Sequence, residues 1–175
     1  DLVAIATVAD MVPLVDANRV LVSAGLQQLS KTRRVGLRAL MDVSGIDPSR
    51  VNASDLGFRL GPRINARGRL SHAGAAVDLM LTTDPTKAKA LAKSLDEANT
   101  QRRHIEKSTL EEALAQIEQE GLGDSAGLCV YNPSWHPGVL GLVATRLAQR
   151  YQRPAIAIGE GGKGSGRSYA ELNLY

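Results

Sequence analysis

Asp84-Pro-Thr-Lys-Ala-Lys-Ala-Leu-Ala-Lys-Ser-Leu-Asp-Glu-Ala-Asn-Thr-Gln-Arg-Arg-His-Ile-Glu-Lys-Ser-Thr-Leu-Glu-Glu-Ala-Leu-Ala-Gln-Ile-Glu-Gln119 is the stretch on which the fold turns. Asp84 is a good helix N-cap, and Pro85 suits the first helical position, where its missing N–H costs nothing. No Gly or Pro follows before Gly121. Ala88, Leu91, Leu95, Ala98, Arg102, Ile105, Leu110, Leu114 and Ile117 trace an approximate apolar stripe at helical spacing. A helix of roughly 35 residues would run about 50 Å at 1.5 Å per residue. That exceeds the width of a small domain, so the helix is expected to bridge two. Gly121-Leu-Gly123 ends it. The chain accordingly divides into residues 1–83, a connecting helix at 84–120, and residues 121–175.

Upstream of the helix, Leu2-Val-Ala-Ile-Ala-Thr-Val8 is a continuous apolar run. Its length and Val/Ile content predict a buried strand of a parallel sheet. Asn18 is the expected N-cap of a helix whose apolar face is Val20, Leu21, Ala24, Leu26 and Leu29. A second helix is expected over 35–43, stopped by Gly45 and Pro48. Ser54 or Asp55 opens a short element. Gly61-Pro62 reads as a loop leading into the basic segment Arg63 to Arg69, and 73–81 reads as a further helix.

Downstream, the pattern changes. Residues 127–131 read as a strand, 138–151 as an amphipathic helix and 154–158 as a second strand. Gly159-Glu-Gly-Gly162 is a turn and 163–169 a third strand. This is a β-α-β unit that opens a second, small α/β domain. The predicted class is α/β: the end of a parallel-sheet domain, a long connecting helix and the start of a small α/β domain.

Apolar residues make up 43% of the chain, enough for a packed core, but aromatics are only 3%. Leu, Val, Ile and Ala must therefore carry the packing. Cys129 is the single cysteine, so no internal disulfide can form, and a reducing, cytoplasmic setting fits. Cys129 itself reads as a small buried hydrophobe. No run approaches the roughly 18 apolar residues that span a bilayer. The chain begins with Asp1 rather than Met, and its pattern runs on to the last residue. It is expected to be an internal stretch of a longer protein.

Net charge is +3 but unevenly placed. Between Arg19 and Arg69 there are ten Lys or Arg and three acidic residues; between Asp84 and Glu120 there are six basic and eight acidic. Of the 21 basic residues 15 are Arg, whose fork matches phosphate oxygens. An anionic partner of the first half is the functional reading, and a solvated basic face the plain one.

Four strings could carry chemistry. Asp10 stands just beyond the apolar run, where an open α/β sheet presents ligand chemistry, and a carboxylate suits Mg²⁺ or Mn²⁺. Gly61-Pro-Arg63-Ile-Asn65-Ala-Arg67-Gly-Arg69 brings three Arg close together between glycines. Trp135-His136-Pro-Gly-Val-Leu-Gly141 opens a helix, whose N-terminus favours anions, and His136 could bind phosphate or assist proton transfer. In Gly164-Ser165-Gly-Arg167-Ser168, strand alternation puts Ser165 and Arg167 on one face, a hydroxyl beside a guanidinium. His72 and His104 look incidental. There is no zinc spacing, nucleophile elbow or dinucleotide fingerprint.

In this order the four strings resemble the RecJ family of DHH-type phosphoesterases. Asp1 to Leu14 is similar to the family's fourth metal-site motif, Gly61 to Leu70 to its arginine-bearing motif, and the last two strings to signatures of the DHH-associated domain. The resemblance implies a metal-dependent, single-stranded-DNA-specific 5′→3′ exonuclease acting in repair and recombination, with two Mn²⁺ or Mg²⁺ ions. It implies Asp10 as a metal ligand, Arg63, Asn65 and Arg69 as DNA-binding residues, Ser165 and Arg167 as the 5′-phosphate site, and His136 as catalytic. Single-stranded DNA is the implied substrate, with a single-strand-binding protein and a helicase as partners and no membrane. The family's Asp-x-Asp and Asp-His-His motifs do not occur here, so the metal site is expected to stay empty and the chain alone to be inactive. Arg67 stands where relatives commonly have a small residue, and Ala6 where Gly is usual. Two other readings remain: a DHH phosphoesterase of short oligonucleotides or cyclic dinucleotides, and a non-catalytic nucleic-acid-binding homologue.

Overall fold

A computed structural model describes residues 1–70 and 72–169. The chain forms two compact units, Asp1–Thr100 and Gln101–Tyr175, and the boundary falls inside a single continuous helix.

Among its described residues the first unit contains only helices. The run at the N-terminus, expected to be a strand, is helix α1 (Leu2–Ala9). A short, uniformly apolar run carries no periodicity to separate strand from helix. At its start the Asp1 carboxylate accepts from the Leu2 N–H at 2.7 Å. Only Ala4 and Ile5 are buried, and Val3 stays 56% exposed. Asp10 is therefore not at a strand end. It is the C-cap of α1, in a Schellman turn in which Met11 N–H reaches Val8 O and Val12 N–H reaches Thr7 O. Met11 takes the left-handed conformation, φ 56°, that glycine usually supplies.

Helix α2 (Asp16–Ser30) begins two residues before the expected cap, and the Asn18 side chain instead donates back to Pro13 O. Its buried face is Val22, Gly25 and Leu29, while Val20 and Leu21 are exposed, one helical step from the expected stripe. Gly25 lies so close to Ala4 that a Cβ would stand 2.4 Å from the Ala4 Cβ. Helix α3 (Val35–Val43) has the bounds the pattern predicts and ends in the same turn as α1, here with Gly45 at φ 63°.

The segment from 53 to 70 is one right-handed helical run, not an element followed by a loop. Helix α4 (Ala53–Asp55) starts in a capping box between Asn52 and Asp55. A π-turn (Leu56–Leu60) follows, and then α5 (Gly61–Leu70). The Gly61 N–H reaches back to Leu56 O, one residue further than in an α-helix. Pro62 has no N–H and its ring would crowd the preceding turn. The widened turn takes up that misfit, so Gly61-Pro62 does not break the helix.

Helix α6 (Gly74–Leu81) leads to α7 (Pro85–Gln119), whose N-terminal amides of Thr86 and Lys87 are accepted by the Asp84 carboxylate. The first unit's core gathers Leu29, Leu37, Leu40, Met41, Leu56, Leu60 and Leu79 with Ala88, Ala92 and Leu95 of α7.

The second unit takes the C-terminal part of α7, with Ala113 and Ile117 in its core. Strand β1 (Leu128–Tyr131) pairs in parallel with β2 (Ala155–Ile158) across helix α8 (Pro137–Tyr151), and β3 (Gly164–Arg167) pairs antiparallel with β2. Leu128, Val130, Ala155 and Ala157 point into the core against Leu140, Val143 and Leu147. Strand alternation puts Cys129 on the opposite face, where it is exposed rather than buried as expected.

Candidate functional site

The second unit builds its candidate site at the C-terminal edge of the parallel pair, where β1 runs through a short loop into α8. The Asn132 side-chain oxygen accepts from the Ser134 N–H and hydroxyl, which turns the loop. Trp135 is buried; its indole donates to Glu112 Oε2 at 2.8 Å, and Asn132 Nδ2 donates to the same oxygen. Trp135 O accepts from the Glu160 N–H at 3.0 Å. Trp135 is thus a core anchor.

The anchored Trp135 fixes His136, the N-cap of α8. Its Nδ1 accepts from the Gly138 N–H at 3.0 Å. A neutral ring bonded this way carries its proton on Nε2, which is then a donor. The first turn of α8 has no acidic residue of its own to offset the positive end of its dipole.

Ser165 and Arg167 lie two residues apart on β3, paired with Ala157 and Ala155. Arg167 Nη1 donates to Ser165 Oγ at 3.0 Å and to Gly166 O at 2.6 Å. Both side chains rest on α8 where it has no side chain: a Cβ on Gly141 would stand 2.8 Å from Arg167 Nη2 and 3.1 Å from Ser165 Oγ. The predicted hydroxyl and guanidinium are therefore together, beside the first turns of α8 that His136 caps. An exposed Arg167, with no carboxylate against it among the described residues, is chemically suited to a doubly charged phosphate group. Glu112 escaped the sequence reading, and Gly141 entered it only as the last residue of a string, with no role of its own. One is a glutamate among several on α7, the other a glycine in a helix, and no pattern marks what either does.

In the first unit, α1 meets the 53–70 helix directly. A Cβ on Gly61 would lie 3.0 Å from the Ala9 Cβ, next to Asp10. The Asp10 carboxylate is exposed and has no hydrogen bond or ion pair among the described residues. Arg59 closes the end of α3, donating to Ser44 O, to Gly45 O at 2.7 Å and to Asp55 Oδ1 at 3.0 Å. Arg63 is also engaged: Nε donates to Asp96 Oδ1 at 2.8 Å and Nη1 to Arg59 O at 2.8 Å. Arg67 donates to Ser94 Oγ. Asn65 and Arg69, four residues apart and exposed, share one helical face and are free of such partners among the described residues.

Asp10 offers a single oxygen donor group. Among the described residues no three His, Cys, Asp or Glu side chains converge as a metal site would require. These residues therefore do not by themselves fit a divalent ion, let alone a pair.

No family model matches the chain. Curated relatives do. It is 48% identical over 182 residues to the single-stranded-DNA-specific exonuclease RecJ of Dickeya dadantii, covering 99% of this chain and 32% of that protein. The likeness to RecJ runs the whole length of the chain. The RecJ of Bacillus subtilis is 42% identical over 180 residues, covering 100% of this chain and 23% of the relative. The crystal structure of RecJ in complex with Mg²⁺ from Thermus thermophilus superposes with TM-score 0.88 at 36% identity, over 98% of this chain and 26% of that one. A crystal structure of exonuclease RecJ bound to manganese gives TM-score 0.87 at 36% identity, over 99% of this chain and 43% of that one. The chain thus spans about a quarter to a third of the length of these curated RecJ relatives. Among the described residues no helix is long and apolar enough to cross a membrane.

Proposed function

We propose that this chain is part of a RecJ-type exonuclease that hydrolyses single-stranded DNA in the 5′→3′ direction, and that its second unit takes the 5′-terminal phosphate. The carrying observation is the placement of Arg167 and Ser165 against Gly141 on α8, beside the His136 cap. A terminal phosphate carries more charge than an internal one and has an extra free oxygen. Arg167 would take two oxygens with its fork and Ser165 would donate to a third. His136, with its proton on Nε2, would donate to a phosphate oxygen and could protonate a leaving oxygen. In this reading residues 1–83 close a DHH domain, 84–120 connect, and 121–175 open a DHH-associated domain.

The relatives solved with Mg²⁺ and Mn²⁺ suggest that either ion serves the whole protein. Asp10 is the carboxylate we assign to it. It sits at the negative end of the α1 dipole, an unfavourable place for an anion that a cation would relieve. The other ligands would have to come from outside the described residues. Asn65 and Arg69 would meet the DNA backbone, while Arg63 braces α5 against α7. A single-strand-binding protein and a helicase are the protein partners this reading implies.

The test is binding of this chain to a single-stranded oligonucleotide with and without a 5′-phosphate, in chelator, for the parent and Arg167→Ala. A 5′-phosphate preference that Arg167→Ala removes is expected. A parent that binds both oligonucleotides equally, at low and moderate salt, would sink the terminal-phosphate assignment. Separately, the chain supplied with Mn²⁺ should leave single-stranded DNA intact.

A further inference from the structure

The first unit holds a cavity of about 580 Å³ that, Asp1 apart, lies outside the four strings. One wall is the α2–α3 connection with Lys31, Thr32, Arg33 and Arg34; the facing wall is the end of α6 with Thr82 and Thr83. The basic wall is rigidly built. Thr32 is buried, donates its hydroxyl to Asp1 Oδ2 at 3.0 Å, and accepts there from the Arg34 N–H at 3.3 Å. Thr32 O accepts from Arg38 Nε at 2.8 Å. At the next turn Gly36 lies hard against α6, where any Cβ would overlap Leu79 O at 1.7 Å. The two walls are thus fixed to each other by backbone contact.

What this frame presents is positive charge. Lys31, Arg33 and Arg34 are all exposed, and the single carboxylate in the lining, Asp1, lies 3.4 Å from Arg34 Nε. Lys31 and Arg33 have no hydrogen bond or ion pair among the described residues. Beside them Leu81 is 73% exposed, an apolar side chain at the rim of a cationic trough. That combination matches an unpaired nucleotide, with its phosphate on the cations and the face of its base on the aliphatic side chain. A duplex would bury that face in its stack.

We infer that this cavity is a second contact for the single strand, in which Lys31 and Arg33 neutralise internal phosphodiesters. The inference rests on the reading of the substrate as single-stranded DNA, but not on the Arg167 pocket. Its contacts are electrostatic, and each phosphate neutralised on a single strand adds about 0.7 to the slope of log affinity against log salt. Binding of a fluorescent oligothymidylate without 5′-phosphate is measured in chelator across a salt series. The double variant Lys31→Gln/Arg33→Gln should lower the slope by roughly 1.4. Lys87→Gln/Lys89→Gln removes the same charge from an exposed face of α7 and should leave the slope near the parent value. Thymidine monophosphate at equal phosphate concentration should not compete.

A slope unchanged in Lys31→Gln/Arg33→Gln, or lowered equally in the α7 control, overturns the inference and leaves a solvated basic face. Competition by the mononucleotide overturns it in favour of a free-phosphate site, and no binding of oligothymidylate by the parent at low salt also overturns it. The oligonucleotide lacks a 5′-phosphate, so failure of the terminal-phosphate assignment cannot mimic any of these results. Thermal melts matching the parent's confirm that the variants fold.

Discussion

Arg63 and Arg167 carry the same side chain into opposite situations. Arg63 donates to a carboxylate and a carbonyl of its own unit, and its side chain is 17% exposed. Arg167 is exposed and donates to a hydroxyl and a carbonyl, neither of which cancels its charge. Among the described residues, an anion stands against the first guanidinium and none against the second. Arginines read from sequence as phosphate ligands therefore need one further question: whether the fold places an anion against them.

The sharpest break of that comparison is a pair of alanine variants. Arg167→Ala should weaken binding of a 5′-phosphorylated oligonucleotide by about 1.5–3 kcal/mol, the range for hydrogen bonds to charged groups, with little change in melting temperature. Arg63→Ala should do the reverse. It leaves Asp96 without its partner and α5 without its brace, and we expect a loss of about 1–2 kcal/mol of stability in denaturant unfolding with DNA affinity nearly unchanged. If Arg63→Ala lost affinity and kept stability, the contrast would be wrong. Gly141→Ala comes next. Its Cβ would press on the ends of the Arg167 and Ser165 side chains and on no backbone atom, so the protein should fold while 5′-phosphate preference drops by a few-fold, roughly 1 kcal/mol. Arg69→Ala, on the exposed face of α5, should remove about one phosphate contact and lower the salt slope by roughly 0.7. Smallest in consequence for function is Met11→Gly, which relieves the left-handed residue after Asp10 and should raise stability by about 1 kcal/mol. If stability fell instead, the lost Met side chain outweighed the relieved backbone.

The second unit was legible from its sequence because each element there has its own punctuation. His136-Pro137 starts α8, Gly159 to Gly162 make the turn, and the alternation of the Gly164–Arg167 strand fixes Ser165 and Arg167 on one face. The long helix was legible for the same reason: Asp84-Pro85 opens it and Gly121, at φ 66°, closes it. The first unit was harder. The Leu2–Ala9 run is apolar on every side, so nothing local separates a strand from a helix whose outer face stays bare. Gly61-Pro62 reads as a break because a π-turn, which has no sequence signature, is what lets the helix pass through it. For Asp10 the residue was identified but its setting was not: a helix C-cap replaces the expected strand end. The partners of Arg63 and Trp135, Asp96 and Glu112, come from distant parts of the chain, and no local pattern announces a long-range pair.

The boundary between the two units lies inside α7, at Thr100 and Gln101. Most domain boundaries fall in linkers that can be cut or lengthened without consequence. Here a nick would open four amides on one side and four carbonyls on the other, with no capping residue placed to receive them. A protease or a gene-splitting design that separates residues 1–100 from 101–175 should therefore yield two pieces with frayed, sticky ends. An insertion of even one residue near Gln101 would turn the later residues of α7 by about 100° around the helix axis. Deletions and insertions within the helix should therefore be tolerated far less than in the loops on either side of it.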